Sequence, residues 1–212
     1  MQNQAGAELG QSHLTFEILE AVKYRIYPSL LNSFDRYEKG KLGEDELVDR
    51  VNRVPMPQTA SQARGVSFEE AVIKGTNEEL YDPEILRQVR ALLPRPMTKT
   101  QVYCEYQLGD VLFYGYVDVI GKMLAVDIKT TSLYVPDCFC QSHQNLYLPA
   151  LKSKGIRTLR YVITDFVSVY QEEYSQSVDL SYQEEQIKSF CGFLEEHRKR
   201  ITDLRIFNLL PR

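Results

Sequence analysis

The sequence predicts a mixed α/β (α+β) fold, in which a central mixed β-sheet with a three-strand meander is flanked by helices. Two patterns support this prediction. Three β-rich runs separated by turn signals occupy residues 100–131, and helix-period apolar spacing occurs before and after them. The order helices, meander, helix, two strands, helix is typical of a sheet covered by helices. With 212 residues, 43% of them hydrophobic and 25% charged, the chain can form one sizeable core.

Helix-period spacing and helix breakers predict the helices. They lie over residues 14–37, in the first part of 39–63, and over 67–75, 83–93, 138–154 and 182–202. Pro28 should end or kink the first of them. The third begins with Ser67-x-x-Glu70, a capping-box pattern that assigns Glu70 to its own helix. We divide the chain into an N-terminal helical extension, residues 1–63, and a main domain, residues 64–212.

Five strands are predicted from β-branched and aromatic runs, over residues 101–108, 111–120, 123–131, 158–164 and 167–174. The first three are separated by Gly109-Asp110 and Gly121-Lys122. Two-residue loops that begin with glycine suit type II′ or I′ hairpin turns. The first three strands should therefore form an antiparallel meander.

The predicted register of the meander separates two faces. A turn at Gly121-Lys122 makes Val119 face Leu124 and Val117 face Val126. One face is then apolar: Val111, Phe113, Val117, Val119, Leu124, Val126 and Ile128. The other carries Asp118, Asp127 and Lys129, with the two aspartates as diagonal neighbours about 7–8 Å apart. The same treatment of the first turn adds Gln101, Tyr103 and Glu105 to this charged face.

Two aspartates and a lysine in a half-buried cleft are costly unless they pair or bind a metal. Their hard oxygen ligands favour Mg²⁺ or Mn²⁺ over zinc. Simple pairing of Lys129 with Asp127 or Asp118 in a structural protein is the alternative. Glu105 is interpreted as a polar strand residue rather than a ligand.

These motifs resemble the PD-(D/E)XK nuclease superfamily, in particular its RecB-like and phage exonuclease-type branch. The resemblance covers residues 65–170 and depends on three motifs: Gly115-Tyr-Val-Asp118, Asp127-Ile-Lys129-Thr-Thr and Gln144-x-x-Tyr147. In that family a Gln/Tyr helix lies over the site, although here the Gln–Tyr interval is one residue shorter than in many relatives. The resemblance implies a restriction-endonuclease-like core. Gly65-Val-Ser-Phe-Glu69 fits the upstream helix on which relatives carry another carboxylate or a histidine.

The resemblance implies a metal-dependent DNA nuclease that hydrolyses phosphodiester bonds, with exonuclease-like activity in phage or bacterial DNA recombination, repair or processing. Its expected catalytic residues are Asp118, Asp127, Lys129, Gln144, Glu69 and Tyr147. Asp118, Asp127 and Glu69 are the expected ligands of Mg²⁺ or Mn²⁺, and Lys129 would orient or help to deprotonate the attacking water. Tyr147 as a merely packed aromatic is the alternative for that position.

Composition limits the partners. A net charge of −4 argues against coating of nucleic acid by bulk charge but leaves room for a local DNA-binding groove. The resemblance implies DNA as the partner and a bacterial or phage-infected cell as the setting. We expect no membrane association and a cytoplasmic location, because no apolar span or secretory signal is present. A homo-oligomer and a recombination or helicase partner protein are both compatible with the sequence. The alternative function is a non-catalytic DNA- or protein-binding module that retains the nuclease fold.

Overall fold

The computed structural model describes residues 21–209. Its strands are β1 (Tyr24–Ile26), β2 (Lys99–Leu108), β3 (Val111–Ile120), β4 (Leu124–Thr130), β5 (Thr158–Thr164) and β6 (Val169–Ser175). Its α-helices are α1 (Pro28–Glu38), α2 (Glu44–Val51), α3 (Ala60–Lys74), α4 (Pro83–Ala91), α5 (Tyr147–Leu151) and α6 (Ser181–Glu196). Within these residues, none of the helices has the length and apolarity that crossing a bilayer requires.

The six strands form one mixed sheet centred on β3. β2 runs antiparallel along one edge of β3 for nearly its whole length. The other edge is shared: β1 pairs in parallel with the start of β3, and β4 pairs antiparallel with its end. β4 continues in parallel to β5, which pairs antiparallel with β6. The middle of β3 therefore faces an opening between β1 and β4.

Helices cover both faces of this sheet and create two apolar clusters. The larger one includes Phe34 of α1, Leu151 of α5 and Phe190 of α6. The smaller one packs α3 and α4 against the sheet, with Phe68 and Val89 among its members. The predicted fold class, a mixed sheet flanked by helices, is confirmed.

The predicted helix over residues 14–37 is wrong where the structure describes it, and residues 14–20 lie outside the described range. Tyr24–Ile26 form a strand, with Tyr24 and Ile26 buried in the core. Pro28 begins α1 instead of ending a helix. The reason is that proline suits the first turn of a helix, where its missing N–H would be unpaired anyway.

The predicted start of the third helix at Ser67 is also wrong. Helix α3 begins at Ala60, because Thr59 and Gln62 form a reciprocal capping box there. Ser67 lies inside the helix, and Glu70 pairs with Lys74 instead of capping. The division after residue 63 consequently falls within α3, and β1 from the expected extension belongs to the central sheet.

The hairpin registers are partly as predicted. The β2–β3 register is correct, with Leu108 opposite Val111. The β3–β4 register differs by two residues, since Val119 pairs with Val126 and residues 121–124 form a longer turn. A shift of two leaves the alternation of β4 relative to the end of β3 unchanged, whereas a shift of one would have inverted the strand.

The prediction of a single apolar face on the meander is wrong. Phe113 and Val117 belong to the larger cluster, whereas Val119 and Val126 belong to the smaller one. The alternation of β3 therefore changes phase between Val117 and Val119. The neighbouring position on β2 is Gln101, whose φ of +49° is in the left-handed region. Such a local irregularity redirects side chains, and here it coincides with Asp118.

The predicted helix over residues 138–154 is wrong as a continuous element. Residues His143–Leu146 form a 3₁₀ helix, α5 follows for five residues, and a second 3₁₀ turn covers Lys152–Lys154. Pro149 has no N–H to donate to the preceding turn, which prevents one regular helix from running through this segment.

Candidate metal centre and active site

The two aspartates meet where β3 and β4 separate. The observed register, extended by one residue, puts Asp118 opposite Asp127. Regular pairing stops there, and Asp118 Oδ2 instead accepts the N–H of Ile128 at 2.7 Å. A buried carboxylate thus satisfies a backbone donor that the diverging strands leave unpaired. Both side chains are buried, with residue exposures of 9% for Asp118 and 3% for Asp127.

Lys129 lies two residues after Asp127 and therefore on the same side of β4. Its Nζ is 2.5 Å from Asp127 Oδ2. This contact is an ion pair without an aligned hydrogen bond, because Oδ2 has no donor in hydrogen-bonding geometry. The Lys129 side chain is 28% exposed, so its ammonium lies between the buried carboxylates and solvent.

Helix α3 brings Glu69 to the same place. Gly65 permits the approach of this helix, since a Cβ there would lie 2.9 Å from Thr130 Oγ1. One turn later, Glu69 Oε1 accepts the Gln101 amide at 2.6 Å. The same Gln101 Nε2 lies 3.3 Å from Asp118 Oδ1. Gln101 therefore links the two carboxylates; its place on the predicted charged face was the only sequence signal for it.

The four charges influence one another. Burial, together with the negative charges of Asp127 and Glu69, raises the pKa of Asp118 well above its ordinary value. Burial and Asp127 also raise the pKa of Glu69, with a partial offset from Lys129. Burial opposes the charge of Lys129, but the aspartates outweigh it and raise the pKa of the ammonium. Three carboxylates and one ammonium leave a net negative site when all are ionised.

This donor set fits a hard divalent cation. Two buried carboxylates face each other across a strand opening, and an excess of negative charge at that point is relieved by a cation. Within residues 21–209, no three His, Cys, Asp or Glu side chains converge as a ready-made ligand group. The structure thus brings Asp118 and Asp127 together, while Glu69 is held at the rim by Gln101.

Tyr147 closes the open edge of β3. Its hydroxyl hydrogen-bonds the backbone of Tyr116, and burial raises its pKa. Its ring packs so closely on Gly115 that a Cβ there would lie 2.7 Å from Tyr147 Cε1. Glycine is therefore required at position 115. Tyr147 is 4% exposed, which gives it a packing and edge-closing role at the rim of the site.

Gln144 separates two cavities. It lines a cavity of about 490 Å³ together with Lys129 and Thr130. It also lines a cleft of about 300 Å³ together with Gly115 and Tyr147. Its Oε1 accepts the hydroxyl of Ser142 at 2.6 Å, which fixes the side chain at the boundary. Of the predicted Gln/Tyr pair, Gln144 shares a cavity with Lys129, and Tyr147 lies near enough to Asp118 and Asp127 for their charges to raise its pKa. The pair lies in a 3₁₀ helix and a short α-helix rather than in one continuous helix.

The larger cavity also contains a polar group that the sequence reasoning missed. His143 is buried, and its Nδ1 lies 2.7 Å from Asn32 Oδ1. Burial lowers the pKa of His143 to about 4, so the ring is neutral at pH 7. Nearby, Asp35 pairs with Lys39. Because Asn32 and Asp35 come from α1 and Lys39 follows directly after it, more than one hundred residues before His143, no local spacing could reveal this group.

Comparison with known proteins identifies the fold. No family model matches the sequence, and no curated protein matches it. A candidate exonuclease from Eubacterium rectale has a similar structure, with a TM-score of 0.55 and 14% identity over 92% of this chain and 89% of that one. LHK-Exo in complex with dAMP gives a TM-score of 0.45, with 13% identity over 85% of this chain and 91% of that one. SSO0001 gives a TM-score of 0.47, with 17% identity over 83% of this chain and 79% of that one.

The similarity to the Eubacterium rectale protein covers most of both chains. At 14% identity such a match establishes shared architecture, and function has to be argued from the site itself. The chain therefore has a fold that also occurs in a candidate exonuclease.

Proposed function

We propose that this protein is a metal-dependent nuclease of the PD-(D/E)XK type that hydrolyses phosphodiester bonds in DNA. The observation that carries the proposal is the meeting of Asp118, Asp127 and Lys129 at the opening between β3 and β4. Exonuclease-like action, and a role in recombination, repair or processing of phage or bacterial DNA, follow only from the resemblance to the RecB-like branch.

Asp118 and Asp127 would hold Mg²⁺ or Mn²⁺, with Glu69 as a third oxygen donor after it leaves the Gln101 amide. The cation would lower the pKa of a bound water and offset the charge that develops on the phosphate. Electrostatics supports a cation between Asp118 and Asp127. Asp118 and Asp127 are buried and repel each other, so a +2 charge between them stabilises both.

Lys129 has an electrostatic role in this proposal. The charges of Asp127 and Asp118 raise its pKa against the effect of burial, which favours the charged ammonium. Its position between the buried carboxylates and the larger cavity allows it to contact a phosphate oxygen and orient the attacking water. A preorganised cation aimed at developing negative charge is worth about 10²–10³ in rate.

One observation favours a non-catalytic binding module. Glu69 and Asp118 both interact with Gln101, so two of the three expected ligands already have a partner. In such a module Lys129 would pair permanently with Asp127 and the cavities would bind DNA or a protein without cleaving it. Retention of the complete Asp, Asp, Lys set beside an open cavity favours the enzyme.

The decisive experiment incubates the purified chain with linear and circular DNA in Mg²⁺, Mn²⁺ or EDTA. We expect cleavage only with a divalent cation, with loss of about 10²-fold or more in Asp127→Asn and Lys129→Met. Degradation of linear DNA alone would support exonuclease action. Glu185→Gln is the matched control, since Glu185 is an exposed carboxylate of α6 that lines neither cavity.

Cleavage that persists in EDTA, or that is equal in the Asp127→Asn and wild-type proteins, would contradict the assignment. A gel shift without cleavage under any of the three conditions would favour the binding module.

A further inference from the structure

A row of four tyrosine rings leads away from the proposed active site. Tyr27 contacts Tyr114 with ring centroids 5.7 Å apart. Tyr114 is followed by Tyr103 at 6.5 Å, and Tyr103 by Tyr116 at 5.5 Å. These rings come from three places in the sequence: the residue before α1, β2 and β3. The fold thus assembles an aromatic surface that no local motif announces.

This aromatic row borders the 300 Å³ cleft, whose wall includes Tyr27, Tyr114 and Tyr116. Gln144 and Tyr147 form its inner end, and Gln144 also borders the cavity that contains Lys129. A chain of nucleotides with one phosphate at Lys129 would therefore place a neighbouring base in the cleft. The volume lies near the lower end of the range of small-molecule sites, about 300–1,000 Å³.

Arginines accompany the aromatic row. The Arg25 guanidinium lies 5.3 Å from the centre of the Tyr114 ring, and Arg53 lies 5.2 Å from that of Tyr27. Arg53 also donates to the Tyr114 hydroxyl at 2.9 Å. Its carboxylate partner, Asp203, is shared with Arg205. Positive charge thus flanks the row at Tyr27 and Tyr114, while at Tyr103 the hydroxyl donates to the Glu105 carboxylate at 2.7 Å.

Internal packing does not explain the exposure of Tyr116. Tyr116 is 56% exposed, although it lies beside a cleft and next to another ring. The ion pairs and hydrogen bonds of the described residues give Arg25 no carboxylate partner. An exposed ring on the wall of the cleft, and a guanidinium without a carboxylate partner against the Tyr114 ring, suit a ligand with a π-face and a negative charge.

We infer that this cleft binds an unpaired nucleotide of the DNA strand, with its base stacked on the tyrosines and its phosphate near Arg25. Every base has a π-face, so such a platform accepts any sequence but requires the base to be out of the duplex. The substrate class is therefore DNA with a single-stranded segment next to the scissile bond. This inference depends on the proposed nuclease function.

The test uses the full chain carrying Asp127→Asn, which keeps the DNA intact. Hairpin oligonucleotides with an unpaired end contain 2-aminopurine at that end, and a blunt hairpin serves for comparison. Stacking should quench the 2-aminopurine fluorescence on binding. Adding Tyr116→Ala should weaken binding of the overhang by about tenfold without changing binding of the blunt hairpin.

Tyr116→Trp provides the rescue, because it restores a stacking surface at an exposed position where folding is not at risk. Arg25→Ala should likewise weaken overhang binding, with Arg87→Ala, an exposed α4 arginine, as its charge control. Equal binding of overhang and blunt hairpins, or unchanged binding in Tyr116→Ala, would overturn the inference.

The two proposals can fail separately. If the wild-type protein cleaves DNA with a metal but Tyr116→Ala does not change overhang binding, the stacking proposal is wrong and the nuclease proposal stands. Absence of both cleavage and oligonucleotide binding removes both proposals.

Discussion

Asp118 and Asp203 are equally buried, each 9% exposed, but their pKa values are shifted in opposite directions. Asp118 faces Asp127 and Glu69, and burial together with these carboxylates raises its pKa. Asp203 is also subject to burial, but hydrogen bonds and charge from Arg205 and the charge of Arg53 outweigh it and lower its pKa. Burial is common to both, so the neighbours decide the outcome.

The comparison shows which of the two is structural. Asp203 pairs with Arg205 at 2.7 Å and with Arg53 at 2.9 Å, so its charge stabilises the folded chain. Asp118 repels Asp127 and Glu69, and the charge of Lys129 offsets this repulsion only in part. Local conflict of this kind is characteristic of functional sites.

The largest effect on stability should come from Asp203→Ala. It removes a carboxylate from two arginines and leaves the N–H of Arg205 without its acceptor. We expect a loss of about 2–3 kcal/mol in the free energy of unfolding, less than for a fully buried pair because the guanidiniums are about half exposed. Urea unfolding at pH 7 measures it. A loss near zero would show that this pair is not structural.

Asp118→Asn should change stability in the opposite direction. Without metal at pH 7, removal of the repelled charge should stabilise the chain by about 1 kcal/mol, or a Tm increase of about 2–4 °C at this size. The asparagine can still accept the N–H of Ile128. Thermal unfolding in EDTA measures the difference, and a clear decrease in Tm would contradict the repulsion.

The pH dependence of this difference follows from the raised pKa. The folded chain holds the Asp118 proton more tightly than the unfolded chain, so the wild-type penalty is absent below the unfolded pKa of about 4. It grows as the pH rises from the unfolded pKa towards the folded pKa and is constant above the folded pKa. The advantage of Asp118→Asn should therefore disappear on acidification to the unfolded pKa, and the cost of Asp203→Ala should also shrink on acidification.

The sequence predicted the parts of the site that depend on alternation along one hairpin. Asp127 and Lys129 share a side because they are two residues apart, and Asp118 stayed beside them because the register error was two residues, not one. The strand bounds of β3 were predicted correctly for the same reason: Gly109-Asp110 and Gly121 mark its ends.

The features that the sequence did not predict depend on contacts between distant segments. Gln101 reaches Glu69 through a left-handed backbone conformation that no residue preference indicates for glutamine. Tyr24–Ile26 form a strand because they pair with the edge of β3. This tertiary pairing outweighs the helical spacing of the apolar residues around Pro28. The pairing of Asp203 with Arg53 spans most of the chain and has no sequence signature.

Titration of Mn²⁺ into the wild-type chain by calorimetry tests the central claim most directly. We predict one site, with affinity that increases with pH as Asp118 loses its proton, weakened by about tenfold or more in Asp118→Asn and unchanged in Glu185→Gln. Absence of Mn²⁺ binding in the wild-type chain, or equal affinity in Asp118→Asn, would contradict a metal centre at the β3–β4 opening.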